Sequence, residues 1–345
     1  MPDEGTHHSI SSTAESTGSI GSGLQGLRSL SRWGFLRKHF RTLYSTELVE
    51  SLLKALADSS NHQYQSAWKR FQDWIQADTS KVDRALVLEY LHVLSKTLAP
   101  RTVLVHRNAL KLPLKEVFGV DFDHEHFAMA AKAHFRRNPP STKVVPTWSL
   151  ENALEVLERK NFQEGDVMST FLKALFLSAV ASANRASELA AIDRSQVSFR
   201  RGSVVLPLRD GFIAKNQTSN HSLSLIEIPN LPGSPLCPNA ALRVYLRVTS
   251  GSEKEGLFLN PESGKELNAG GVSYWLVRAI EWLLPGSLGK GHDIRKLSTS
   301  LAWFRGVRTD AIVAAASWRG TNTFFRRYLV PPRRTGTFVT ARHVV

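Results

Sequence analysis

Residues 291–303 read GHDIRKLSTSLAW, a stretch with the apolar spacing of a helix. His292 lies three residues before Arg295, so both side chains project from one face of that helix. Taken alone, this spacing occurs often by chance, and a histidine at a helix start is commonly a cap or a core residue. The functional interpretation of this stretch depends on the residues that precede and follow it.

Downstream, residues 314–329 read AAASWRGTNTFFRRYL, where Trp318 precedes Tyr328 by ten residues. Read singly, Trp318 would be a core residue and Tyr328 an interface aromatic. The apolar spacing predicts helices through this whole region, at Asp293–Arg305, Asp310–Ala316 and about Asn322–Leu329.

Upstream, residues 182–192 read SANRASELAAI and follow a long apolar helix. Arg185 stands one turn before Glu188, so the carboxylate can hold the guanidinium in orientation. Most such pairs are ordinary surface ion pairs.

Farther along the chain, Lys215 lies in GFIAKNQTSN, at the tip between two β-like runs. A lysine in this position is usually interpreted as a charge at the tip of a hairpin.

The second half is therefore predicted to be mainly helical, with a small antiparallel sheet inserted early. Ser149 can cap a helix from Leu150, and Asp166 precedes a long apolar helix through about Val180. The remaining expected elements are β-like runs at Ser203–Leu208, Gly211–Ala214 and Leu223–Ile228 and helices at Pro238–Val248 and Ala269–Leu284.

The first half is predicted to be a compact four- or five-helix domain at 45–137, with its aromatic stripe in the core. Residues 1–44 are expected to form a disordered basic tail, in which 27–43 could make a short amphipathic arm. Residues 138–149, rich in proline, are predicted to be a linker to a domain at 150–330, and 331–345 to be a C-terminal tail.

The composition favours a nucleic-acid partner. The 345 residues carry 44 Lys and Arg against 30 Asp and Glu, a formal net charge of +14. From His292 to the end there are ten basic residues and two acidic ones, a clustering that fits phosphate contacts better than an evenly solvated surface. A single cysteine, Cys237, excludes an internal disulfide framework and a cysteine-rich metal site. No apolar run approaches the length needed to cross a bilayer.

These residue types suit phosphodiester cleavage without a metal. Such a reaction needs fixed cations around the phosphate, an in-line nucleophile and an acid for the departing 5′ oxygen. Dense metal-ligating carboxylates are missing, since Glu188 and Asp193 are five residues apart and Asp293 and Asp310 stand apart as well. A two-metal nuclease is thus disfavoured.

In this order and context, the residues resemble the pattern of the tyrosine recombinases, also called phage integrases. The chain resembles the family over about residues 45–330. The family pattern Arg…Lys…His-x-x-Arg…His/Trp…Tyr is matched, and the SEL after the first arginine adds to the match. The six matching positions are Arg185, Lys215, His292, Arg295, Trp318 and Tyr328.

The resemblance implies an N-terminal helical core-binding (SAM-like) domain and a C-terminal catalytic domain. It implies that Tyr328 forms a 3′-phosphotyrosyl link, that Arg185 and Arg295 grip the phosphate, and that Trp318 packs beside it. His292 would accept the phenol proton, Lys215 would protonate the leaving oxygen, and Glu188 would orient Arg185. It also implies no cofactor or metal and a homotetramer on two double-stranded DNA duplexes.

Within the family, the segment looks most like recombinases of eukaryotic mobile elements, of the DIRS-like and Crypton kind. Trp in place of the second His and the gap of ten before Tyr328 both favour that subtype, which would place the protein in the nucleus. A proline break at 331–332 disfavours a long exchanged C-terminal helix.

Three alternatives remain open from the sequence. The chain could be a domesticated DNA-binding protein without catalytic activity, although all six positions are occupied. It could be a type IB topoisomerase or telomere resolvase, which shares the Arg/Lys/His/Tyr chemistry. A helical scaffold with a basic surface would leave the ordered residues unexplained.

Overall fold

The computed structural model of the chain describes residues 24–55, 58–75, 81–139, 145–160, 165–215, 217 and 222–331. The chain divides between residues 142 and 143 into two compact units, and each unit has its own core. Both units are mainly helical, and the second contains a small antiparallel sheet, as the sequence predicts. None of the helices in the described ranges is long and apolar enough to cross a membrane.

The first unit consists of helices in its described part. Side-chain caps begin several of them: Ser31, Ser45 and Asp83 each accept a hydrogen bond from a backbone N–H one turn ahead. The helices are α1 (24–29), α2 (Arg32–Phe40), α3 (Thr46–Leu53), α4 (Asp58–Trp74), α5 (Arg84–Ser95), α6 (Pro100–Phe118) and α7 (Glu125–Arg137).

The aromatic stripe of the first unit lies in its core, as predicted. Trp68, Phe71 and Tyr90 are fully buried, and Phe71 meets Tyr90 edge-on with ring centroids 4.9 Å apart. The Tyr90 hydroxyl lies 2.9 Å from Nδ1 of His106. These rings are therefore engaged with one another and do not form a surface for stacking bases.

The expectation of a disordered tail over 1–44 is wrong for residues 24–44. They form α1 and α2, and Leu27 and Phe35 are buried in the core of the first unit. Helix α2 lies within the segment expected to make a short amphipathic arm. The part of the predicted tail at 1–23 lies outside the described residues, as do 332–345.

Helix α6 continues without interruption through Pro113. A proline inside a helix has no N–H for the carbonyl four residues earlier, here that of Ala109. The buried side chain of Arg32 supplies the missing donor, since its Nε donates to Ala109 O at 2.8 Å. The helix thus continues because a side chain from α2 satisfies the freed carbonyl.

The second unit is built around the apolar helix α9, which is buried along most of its length. Of the predicted linker, 140–144 lie outside the described residues, while Trp148 is buried in the core of this unit. Its helices are α8 (Leu150–Arg159), α9 (Val167–Ser182), α10 (Ala186–Ala190), α11 (Pro238–Val248), α12 (Ala269–Leu283), α13 (Gly291–Phe304), α14 (Thr309–Ala315) and α15 (Thr321–Thr323).

The sheet has the order β1 (Ser198–Phe199), β2 (Ser203–Pro207), β3 (Leu225–Pro229), with both pairs antiparallel. Val204 pairs with Ile228 in the register of β2 and β3. The expected strand at Gly211–Ala214 is wrong. Ala214 instead exchanges hydrogen bonds with Gln217, so a local turn satisfies its backbone and no ladder forms.

Candidate active site

A buried carboxylate organises the site. Arg185 lies directly before α10, and its backbone N–H donates to Glu188 Oε2 at 2.7 Å. Its guanidinium Nη1 donates to Glu188 Oε1 at 2.5 Å. Glu188 is fully buried, so both of its oxygens are committed to holding cationic and backbone donors. The one-turn spacing predicted from the sequence is thus realised as an ion pair whose carboxylate is buried.

Arg295 reaches the same carboxylate from α13, 107 residues farther along the chain. Its Nη1 donates to Glu188 Oε2 at 3.4 Å, and its Nη2 donates to Ala316 O at 2.5 Å. Burial, followed by the nearby charge of Arg185, lowers the pKa of Arg295 to about 10, against the opposing influence of Glu188 and Tyr328. Arg295 is therefore still a cation at neutral pH, and two guanidinium groups share one carboxylate.

Two aromatic rings lie against the Arg295 guanidinium. Its Cζ is 5.0 Å from the ring centroid of Trp318 and 5.4 Å from that of Tyr328. The Trp318 and Tyr328 centroids are 4.4 Å apart. Tyr328 ends a π-helical turn at Phe324–Tyr328, a departure from α-helical hydrogen bonding that is frequent at functional sites. The phenol is thus packed beside the Arg295 guanidinium.

Two buried donors of this cluster have no hydrogen-bond acceptor among the described residues. They are Nε of Arg295 and Nε1 of Trp318. A buried N–H without an acceptor costs free energy, so native proteins rarely retain one without a reason. An anion with several acceptor oxygens suits a site of this kind, because it would satisfy such donors and balance the net positive charge.

His292 stands at the start of α13 and contacts the phenol. Its ring centroid lies 5.4 Å from that of Tyr328. His292 remains in contact with solvent. Partial burial nevertheless lowers the pKa of its imidazole. The nearby positive charges of Arg295, Lys296 and Arg185 lower this pKa further, and the negative charge of Asp293 opposes them. The imidazole is therefore neutral at pH 7 and able to accept a proton.

The pKa of His292 gives a test of the role of base that the resemblance implies for it. That role requires a neutral imidazole, so cleavage is expected to stay constant as pH falls from 8 and to decline only below the ordinary histidine value of 6.5. The rate is measured at subsaturating DNA, where the profile reports the free protein. The His292→Gln protein should be slow and lack this decline. A wild-type decline centred above pH 6.5 would contradict the assignment.

Lys215 is not brought into the cluster. It lies exposed in the connection between β2 and β3 and forms no hydrogen bond or ion pair with any described residue of the site. Residues 216 and 218–221 of the same connection lie outside the described residues. The structure thus gathers Arg185, Glu188, Arg295, Trp318, Tyr328 and His292, and leaves Lys215 apart.

Several site features have no clear signal in the sequence. Ala183 and Ser317 adopt left-handed conformations with φ of 50° and 49°. One lies two residues before Arg185 and the other directly before Trp318, so each turns the chain just ahead of a site residue. Alanine and serine do not favour this conformation. The Ala316 carbonyl accepts a hydrogen bond from Arg295, and a backbone contact of this kind cannot be predicted from the residue types.

Comparison with protein-family models and with the sequences of curated proteins finds no match. Solved structures with the same fold do exist. The chain is similar to the XerH site-specific recombinase bound to its difH substrate in a pre-cleavage complex, with a TM-score of 0.58 and 14% identity. The alignment covers 87% of this chain and 93% of that one.

Two further structures share the fold. One is a lambda integrase tetramer bound to a Holliday junction, with a TM-score of 0.56 and 13% identity over 92% of this chain and 83% of that one. The other is the Tn1549 transposon integrase in complex with transposon right end DNA, with a TM-score of 0.55 and 12% identity over 88% and 96%. The chain therefore has the fold of tyrosine recombinases and integrases.

Proposed function

We propose that this chain is a site-specific DNA recombinase that cuts and rejoins DNA through a 3′-phosphotyrosyl intermediate. The observation that carries the proposal is the position of the Tyr328 ring, packed between the Arg295 guanidinium, Trp318 and the His292 imidazole. The recombinase fold and the net charge of +14 support it independently.

The two arginines would hold the scissile phosphate. A phosphodiester already bears one negative charge, and the transition state spreads charge over its equatorial oxygens. Arg185 and Arg295 are fixed by Glu188 before any substrate arrives, so they need little rearrangement to meet that charge. The unpaired Nε of Arg295 and Nε1 of Trp318 would donate to the same oxygens.

Tyr328 would be the nucleophile. Its oxygen attacks the phosphorus, forming a bond to the 3′ phosphate while the bond to the 5′ oxygen breaks. The phenol proton passes to the neutral His292 imidazole, and the departing 5′ oxygen takes a proton from an acid. We assign the acid to Lys215 on the sequence pattern, and this assignment requires the β2–β3 connection to approach bound DNA.

The reverse reaction would complete strand exchange. The phosphotyrosyl ester keeps the free energy of the broken bond, so a 5′-hydroxyl from another strand can attack it and release Tyr328. Each step exchanges one phosphoester for another, and the proposed reaction therefore needs neither ATP nor a cofactor. We further propose that the protein acts as a homotetramer on two duplexes. Its origin would be a DIRS-like or Crypton mobile element, and its location would be the nucleus.

Trapping the covalent intermediate tests the function directly. The wild-type protein is incubated with a library of nicked duplexes, in which the short fragment beyond the nick diffuses away after cleavage and prevents religation. DNA that remains attached after denaturation is sequenced. The proposal expects a recurring site joined to Tyr328. Absence of any adduct favours a non-catalytic DNA-binding protein, and relaxation of plasmid without a preferred site favours a topoisomerase.

A groove in the first unit offers a surface for binding DNA. It lies between α4 and α6, has a volume of about 680 Å³ and contains no acidic residue among its lining side chains. Arg70 and Arg101 line it and are exposed. We propose that these two side chains contact phosphates of the duplex.

Salt dependence tests these contacts. Each lost phosphate contact should reduce the slope of log affinity against log salt by about 0.9. We therefore expect the Arg70→Gln, Arg101→Gln protein to show a slope smaller by about 1.8. Lys69→Gln serves as the matched control, because Lys69 does not line the groove and is paired with Asp73. An unchanged slope in the double variant would show that the groove does not contact DNA.

A further inference from the structure

We infer that Ser300 is a positioning residue for Tyr328. This inference rests on the proposed function and deepens it. The Ser300 hydroxyl donates to the backbone carbonyl of Tyr328 at 3.2 Å and accepts from the backbone N–H of Val330 at 3.0 Å. One side chain from α13 therefore holds the chain at the nucleophile itself and two residues beyond it.

These bonds are shielded from solvent. Ser300 is 2% exposed and Val330 is 1% exposed, with Val330 belonging to the main core of the second unit. In such surroundings a lost partner is poorly replaced by water, so the backbone groups of Tyr328 and Val330 depend on this hydroxyl. The segment after the nucleophile is thereby fixed to α13.

Helix α13 also carries His292 and Arg295. Ser300 lies eight positions after His292, which corresponds to about 12 Å along one rigid helix. The proposed base, a phosphate-binding cation and the anchor of the nucleophile thus share one element, which fixes their relative positions. The π-helical turn that ends at Tyr328 constrains this residue less than a regular helix would, because its hydrogen bonds differ from those of a regular helix.

The expected consequence is kinetic. Loss of the anchor leaves the phenol oxygen, the arginines and the DNA-binding surfaces chemically intact but lets the tyrosine segment shift. A displacement of about 1 Å at a reacting atom can cost about a hundredfold in rate. Removal of the hydroxyl should therefore slow formation of the adduct roughly 10- to 100-fold without changing DNA affinity.

Ser300→Thr and Ser300→Val form a matched pair, because their side chains have the same shape and differ only by the hydroxyl. A cavity of about 20 Å³ beside Ser300 and Leu297 offers room for the added methyl group. Single-turnover adduct formation is measured at saturating DNA, together with the DNA dissociation constant and the melting temperature. We expect Thr to stay within threefold of wild type and Val to fall 10- to 100-fold, with equal affinities.

Each outcome decides the inference. Equal rates for wild type, Thr and Val overturn it, and so does an equal loss in Thr and Val, which would indicate packing alone. If the Val protein does not fold, Ser300→Ala is compared with Ser298→Ala, whose hydroxyl donates to Arg295 O within its own helix. Loss confined to the former supports the inference, and equal rates overturn it. Wild type forming no adduct would instead contradict the proposed function.

Discussion

The Tyr328→Phe protein should form no covalent adduct with a DNA duplex that the wild-type protein cleaves. The substitution removes one oxygen, and without it no phosphotyrosyl bond can form. Phenylalanine keeps the ring that packs on Trp318, on Arg295 and on His292, so the variant should fold and bind DNA as the wild type does. Adduct is measured after denaturation by a shift in gel mobility, and binding by a separate equilibrium titration.

Tyr274→Phe provides the matched control, because it makes the same chemical change at an exposed tyrosine on α12. That variant should form adduct at the wild-type rate. Adduct persisting in Tyr328→Phe would show that another residue attacks the phosphorus. Loss of DNA binding in that variant would show that the phenol is needed for binding, against the assigned role.

Much of the fold follows from local pattern. The expected helix at Pro238–Val248 agrees with α11 at both ends, and the one expected at Ala269–Leu284 extends one residue beyond α12. A proline at the first helical position in one case and an Asn cap in the other mark the starts clearly. Apolar periodicity then decides the element, because each helix buries one continuous face.

Long-range contacts account for most of what the sequence does not reveal. The pairing of Arg185 with Glu188 is predictable because it lies within one turn, whereas the approach of Arg295 to the same carboxylate depends on how α10 and α13 pack. The role of Arg32 is similar, because its bond to Ala109 O becomes visible only once α2 lies against α6. Spacing alone cannot supply either contact.

Single replacement of Arg185 or Arg295 by alanine should separate the catalytic contribution of each arginine from its contribution to stability. Removing one preorganised donor from a transition state costs about 3 kcal/mol, so each variant should lose about a hundredfold or more in the single-turnover rate of adduct formation. The stability effects should differ. Arg185 retains some solvent contact, with a side chain 16% exposed, whereas the side chain of Arg295 is 2% exposed and also satisfies Ala316 O.

Arg295→Ala should therefore lower the free energy of unfolding by about 3–5 kcal/mol as well, because it leaves a cavity and a buried carbonyl without its partner. Arg185→Ala should melt closer to wild type, since Glu188 keeps Arg295. Arg278→Ala on α12 is the matched control, an exposed arginine paired with Glu281 at the same three-residue spacing. It should change neither rate nor stability measurably. An Arg185→Ala protein that forms adduct at the wild-type rate would contradict the role of Arg185 in holding the phosphate, because its charge would then be dispensable for the reaction.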